Sequence, residues 1–275
     1  MTTRTSLTGF ALVLALWSVP SWSDEPGSSA GSDTKAGAGA AHWDYDGDEG
    51  PSNWAQLSPE YSACAQGRSQ SPIDLPSVGL GDPGAVASDF NPADFEAHPN
   101  EHLEQAFNNG HTIQVDFHNG DSLIIGEERF QLAQFHFYAP SEHTISGRSL
   151  PMEVHLVHRS ESGALAVLGI LVVEGEHNPA YDPIWKHLPR EAGARHGLEE
   201  LTIDLEDLLP KRRLAFRYLG SLTTPPCAEG VRWFVLAQPV ALSAEQIATF
   251  TAIYDHNNRP TQPLYGRSLV LERLD

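Results

Sequence analysis

Polar and apolar residues alternate, or apolar residues run together, in several short stretches of the chain. Thr112–Phe117 (TIQVDF) alternates with the period of two expected of a half-buried β-strand. Ser122–Ile125, Ala164–Val173 and Val231–Leu236 are rich in β-branched and aromatic residues and are bounded by Gly, Asn, Asp or Pro, so they read as further strands. Helical spacing is scarce. Ser243 caps a segment in which Ile247, Phe250 and Ile253 recur at helical intervals, and Pro179–His187 is a second short helix. The mix predicts a large, mainly antiparallel sheet with small peripheral helices and argues against parallel βαβ units.

The same alternation places the chemistry of Gln134–His158, a stretch with four histidines and two glutamates. In QFHFY, Gln134, His136 and Tyr138 share one face of a strand, and Phe135 and Phe137 the other. In MEVHLVH, Glu153, His155 and Val157 share a face. On neighbouring strands, His136 and His155 would point into one cavity and offer two imidazoles to a metal. The third polar side chain there is Tyr138.

The start of the chain has a different character. Arg4, the apolar run Leu7–Trp17 and the small residues around Ser21–Ser23 predict a secretory signal over 1–23, and hence an exported, periplasmic or secreted protein. A membrane anchor is the alternative reading, but a run of about 11 residues is well short of the roughly 20 that span a bilayer. Residues 24–41 are mostly Gly, Ser, Ala and Asp with a single lysine, a flexible tether that could form no core. From His42 to Asp275 there is neither an internal repeat nor another low-complexity break, which predicts one domain over 42–275.

A formal charge of -19 excludes nucleic acid as a partner, since phosphate contacts need clustered Lys and Arg. It also argues against an anionic membrane surface. The two cysteines, Cys64 and Cys227, would form one disulfide in an exported protein, with two free thiols or an intermolecular pair as alternatives. Without a Cys-x-x-Cys, a cysteine zinc site and a thioredoxin-type motif are excluded. Oligomeric state is left open, a homodimer included.

Three further motifs are weak when taken singly. Asn108-Asn-Gly-His111 is a turn into a strand, and His111 is either a solvated side chain or, near a metal, a proton shuttle. Ser141-Glu142-His143-Thr144 follows a proline. Gly220–Cys227 is a loop with its backbone fixed by prolines, where Thr223 and Thr224 could face a ligand.

Taken in order and at their separations, these motifs resemble the α-class carbonic anhydrases over essentially the whole domain. The resemblance runs through Gln70-Ser-Pro-Ile-Asp74, Asn109-Gly-His111, Gln134-Phe-His136, Ser141-Glu-His-Thr144, Glu153-Val-His-Leu-Val-His158, Ala166-Val-Leu-Gly-Ile170 and Ser221-Leu-Thr-Thr-Pro-Pro226. It implies a mainly β fold, a central ten-stranded, mostly antiparallel twisted sheet with short peripheral helices, and a cleft reaching a zinc ion. The implied reaction is that of a lyase, the reversible hydration of carbon dioxide to bicarbonate, for which this family is itself the standard case of zinc-activated water.

Residue by residue, the resemblance makes His136 and His155 zinc ligands, with Gln134 and Glu153 orienting them. Glu142 would accept from Thr223, and Thr223 would in turn orient the attacking oxygen. Val157, Val167, Leu222 and Trp233 would form an apolar wall for the substrate, with Thr224 beside it. His111 would relay the proton through waters organised by Tyr45, Asn109 and Gln114. Cis peptide bonds are implied at Ser71–Pro72 and Pro225–Pro226.

The departure is Tyr138, where the family has a third histidine. A phenol oxygen lies farther from its Cα than an imidazole nitrogen, so Tyr138 would overshoot the metal or occupy its place. Two readings follow: a zinc carbonic anhydrase with weakened metal retention and lower turnover, or a catalytically inactive, carbonic-anhydrase-like binding protein with Tyr138 plugging the site.

Overall fold

The computed structural model describes residues 41–77, 93–96, 101–117 and 121–274. The predicted signal and all of the predicted tether except Ala41 lie outside the described residues. Two short helices, α1 (Trp54–Leu57) and α2 (Ala63–Gln66), come first. Strands β1 (Asp74–Leu75), β2 (Ala93–Glu96), β3 (Glu101–Asn108), β4 (Ile113–Phe117), β5 (Ser122–Ile125) and β6 (Glu128–Tyr138) follow. Next come β7 (Thr144–Ile145), β8 (Arg148–Ser149), β9 (Met152–Ser160), β10 (Leu165–Glu174) and helix α3 (Asp182–Trp185). The chain ends with β11 (Arg195–Gly197), β12 (Thr202–Ile203), β13 (Leu214–Ser221), β14 (Glu229–Leu242), helix α4 (Ala244–Thr251) and β15 (Val270–Arg273).

The main sheet runs in the order β11-β3-β4-β6-β9-β10-β14-β13-β15, with β12 paired to β3 and β2 joined through β5 to β6. This is the expected ten-stranded sheet, brought to twelve strands among the described residues by the short edge segments β11 and β12. Every pairing in it is antiparallel except β10 with β14. That parallel pair needs no βαβ unit, because the chain reaches β14 from β10 by way of α3, β11, β12 and β13. Up to its closing glutamate, the sequence of β10, LAVLGILVVE, is an unbroken apolar run buried on both faces, as a central strand requires. Among the described residues no helix is long and apolar enough to cross a membrane.

Alternation along β6 and β9 divides the sheet into two faces. Phe135, Phe137, Val154 and Leu156 belong to the larger core, where Phe137 packs on Trp185 of α3 and Phe250 of α4. Each such phenylalanine contributes about 1.5–3 kcal/mol by leaving water. Helix α4 starts where the pattern placed it: the Ser243 side chain accepts from Gln246 N and the Gln246 side chain reaches back to Ser243 N. The opposite face carries the cluster of Val167, Phe216, Tyr218, Val231, Trp233 and Val235.

Cys64 of α2 is bonded to Cys227 in the loop after β13, 163 positions away. By chain entropy a loop of that length stabilises the fold by up to about 5 kcal/mol. The double variant Cys64→Ser/Cys227→Ser should lose about 2–5 kcal/mol of folding free energy, read from urea midpoints. Cis peptide bonds occur at Ser71–Pro72 and Pro225–Pro226, as the resemblance implied, and also at Ala139–Pro140.

His158 of β9 is buried, with Nδ1 3.0 Å from Leu156 O and Nε2 without a hydrogen-bond partner. Burial lowers its pKa to about 4. The unfolded chain therefore takes up this proton first as pH falls. The stability tied to the neutral ring is complete above about pH 6.5 and is lost toward pH 4, by up to about 3 kcal/mol. Urea midpoints measured across that window should fall less steeply in His158→Leu than in the wild type.

Candidate metal centre

Strand pairing sets His136 of β6 directly opposite His155 of β9, with ring centroids 5.4 Å apart. Each ring is held by one nitrogen. His136 Nδ1 lies 2.8 Å from Gln134 Oε1, and His155 Nε2 lies 2.8 Å from Glu153 Oε1. The nitrogens left over are His136 Nε2 and His155 Nδ1. Burial lowers the pKa of both imidazoles, so both are neutral near pH 7, the form that ligates a metal. Gly169 on β10 faces His155 across the ladder, and a Cβ there would stand 3.1 Å from Glu153 Oε1. The missing side chain leaves room for the carboxylate.

Tyr138 completes this face and is only 2 % exposed. Its hydroxyl lies 3.1 Å from His136 Nε2 and 3.3 Å from Thr223 Oγ1, while its ring packs 4.7 Å from that of His155. Burial, reinforced by the nearby Glu142, raises the phenol's pKa well above its ordinary value and keeps it neutral. Zinc bonds of about 2.0–2.1 Å in a tetrahedral array separate ligand atoms by roughly 3.3 Å. His155 Nδ1 makes no hydrogen bond, and its nearest carboxylate oxygen, Glu142 Oε2, is 3.8 Å away. These residues fit zinc through two imidazoles, with a neutral phenol at the third position.

Glu142 is buried, and its Oε1 accepts from Arg259 N at 2.8 Å. Burial raises its pKa well above the carboxylate range, and Thr223 nearby opposes the rise. No bond of normal length joins Thr223 to Glu142: the Thr223 hydroxyl lies near enough to oppose that rise but is engaged by Tyr138, and Glu142 Oε2 is left without a close hydrogen-bond partner. Val167 lies between Val157 and Trp233 in the strand ladders, and Leu222 packs on the same cluster, so the four apolar residues come together. Thr224 is partly buried, and its carbonyl accepts from Cys227 N at 2.8 Å.

His111 stands just before β4. Its ring stacks on Trp43 at 3.7 Å, 9° from parallel, and burial lowers its pKa. Asn109 Oδ1 is occupied with the backbone amides of His111 and Thr112, and Gln114 donates to Asp116. Tyr45 stacks edge-on to His111 at 6.5 Å.

The sequence pattern did not reveal the polar layer behind the two imidazoles. His143 Nδ1 is 2.7 Å from Glu153 Oε1, and His143 Nε2 is 2.7 Å from the Tyr218 hydroxyl, which donates to Ser71 Oγ at 2.8 Å. His143, Glu153 and His155 have ligand-type atoms within 4.8 Å of one another. Those atoms are already spent on mutual hydrogen bonds, so the trio supports the site and is not a second metal centre. The His143 and His155 rings hold Glu153 well below the carboxylate range, although burial works in the other direction. Arg259 is also buried and donates to Gln70 Oε1, Ser71 O and Cys64 O. Gln70, Ser71, His143, Glu153 and His155 each sat in a recognised motif, whereas Tyr218 did not. Ser71 and Tyr218 are 147 positions apart and carry no shared local signal.

Residues 49–273 match the family described as eukaryotic-type carbonic anhydrase. The carbonic anhydrase of Pectobacterium carotovorum is 40% identical over 232 residues, covering 84% of this chain and 91% of that protein. The carbonic anhydrase of Nostoc sp. is 42% identical over 240 residues, covering 87% and 89%. Among solved structures, the α-carbonic anhydrase from Thermovibrio ammonificans in complex with the inhibitor sulfanilamide is 43% identical with a TM-score of 0.76, over 84% of this chain and 99% of that one. With a match across residues 49–273, and relatives this similar along about nine-tenths of their own length, the chain belongs to the α-class carbonic anhydrases and is a carbonate dehydratase by enzyme class.

Proposed function

We propose that the protein catalyses the zinc-dependent, reversible hydration of carbon dioxide to bicarbonate and a proton, at a rate lowered by Tyr138. The observation that carries this reading is the pairing of His136 opposite His155, ring centroids 5.4 Å apart, with each ring oriented from behind by Gln134 or Glu153. When bound, zinc would make water acidic enough to supply hydroxide near neutral pH. His136 and His155 would hold the ion, and the hydrogen bonds behind them fix tautomer and ring direction. Val157, Val167, Leu222 and Trp233 give the uncharged substrate an apolar wall, with Thr224 at its edge. Thr223 orients the attacking oxygen once its hydroxyl is directed to Glu142. His111 carries the released proton outward, and its partial burial and lowered pKa suit it to give that proton up again.

Nothing in the comparisons favours the inactive binding-protein reading. The predicted signal over 1–23 would place the reaction in the periplasm or outside the cell, in keeping with the Cys64–Cys227 disulfide. The test is chelation followed by metal return. Protein stripped of metal should hydrate carbon dioxide no faster than buffer and should regain activity with added zinc. Failure to regain it at a measured occupancy of one zinc per chain would refute the proposal.

A further inference from the structure

The partners of the Tyr138 hydroxyl set the direction of the hydrogen bonds around it. Gln134 Oε1 can only accept, so it takes the Nδ1 proton of His136 and leaves Nε2 as a bare lone pair. That lone pair, 3.1 Å from Tyr138 Oη, accepts the phenol proton. With this proton committed, Thr223 is the donor in its 3.3 Å contact with Tyr138. A threonine hydroxyl has one proton to give, so none is left for Glu142. This accounts for a buried Glu142 Oε2 that has no hydrogen-bond partner. Although the Tyr138 ring packs on His155, no hydrogen bond joins its hydroxyl to His155 Nδ1. The oxygen is thus bonded to one imidazole and to Thr223, with the Tyr45 hydroxyl close by, whereas a third metal ligand would face both imidazoles.

We propose that Tyr138 is a built-in competitor of the metal and not its third ligand. Its hydroxyl caps the His136 lone pair that the ion needs and keeps Thr223 turned away from Glu142. The proposal rests on the zinc reading above. Loss of the hydroxyl alone distinguishes the two roles, because it frees a competitor's site but weakens a ligand's.

The experiment is a zinc titration of wild type, Tyr138→Phe and Tyr138→His in competition with a chromophoric chelator. Tyr138→Phe should bind zinc about three- to ten-fold more tightly than wild type, the effect of one hydrogen bond no longer broken on binding. Equal or weaker binding by Tyr138→Phe would overturn the proposal. A second measurement guards against a misfolded variant: in copper(II)-loaded wild type, a phenolate-to-copper charge-transfer band would also overturn it, and the band's absence supports it. Failure of Tyr138→His to take up zinc would mark failure of the zinc reading itself, and this inference would fall with it.

Discussion

Replacing Tyr138 by histidine should tighten zinc binding several-hundred-fold. The position lies on the same face of β6 as His136, two residues along, so an imidazole there joins the two already paired across β6 and β9. A structural zinc site is worth about 10–16 kcal/mol in all, and its share per ligand, roughly 3–4 kcal/mol, corresponds to that factor. The same change removes the hydroxyl that now bonds His136 Nε2 and Thr223. Thr223 is then free to donate to Glu142 Oε2, which is already close by and unpaired. Competition titration measures the dissociation constant directly. An unchanged constant would mean that Tyr138 serves the metal as well as an imidazole does.

The second large effect is expected at Arg259, far from the paired imidazoles in sequence but tied to Glu142, whose Oε1 accepts from its backbone amide. Its guanidinium is buried beneath Trp54 and donates to the carbonyls of Cys64 and Ser71 and to Gln70 Oε1. Burial lowers its pKa to about 10, so it remains charged at neutral pH. Arg259→Ala leaves three buried acceptors without a donor and opens a cavity where the chain is also pinned by the disulfide. The expected loss is about 3–5 kcal/mol of folding free energy, seen as a lower urea midpoint with an unchanged slope. A loss below about 1 kcal/mol would show that water replaces the guanidinium there.

The parts of the site that could be read along the chain are those governed by strand alternation. The period of two placed Gln134, His136 and Tyr138 on one face and Phe135 and Phe137 on the other, and the structure pairs His136 with His155 as that pattern required. The capped helix after Ser243 and the strands at Ile113–Phe117 and Ser122–Ile125 were legible for the same local reason. What alternation could not reveal depends on distant partners. The parallel register of β10 with β14 comes from a strand buried on both faces, and an unbroken apolar run does not specify its neighbour. The Glu153–His143–Tyr218–Ser71 chain joins residues from four separate stretches. The direction of the Thr223 hydroxyl is set by Tyr138, so the Thr223–Glu142 bond expected from family resemblance is weakened by the residue that replaces the family's third histidine.

The most direct test of the account is the carbon dioxide hydration rate per bound zinc, measured side by side for wild type and Tyr138→His. A rate above the uncatalysed one is expected in zinc-loaded wild type, and a substantially higher rate in Tyr138→His. Zinc-dependent hydration would be contradicted if both proteins held one zinc per chain and neither hydrated carbon dioxide faster than buffer.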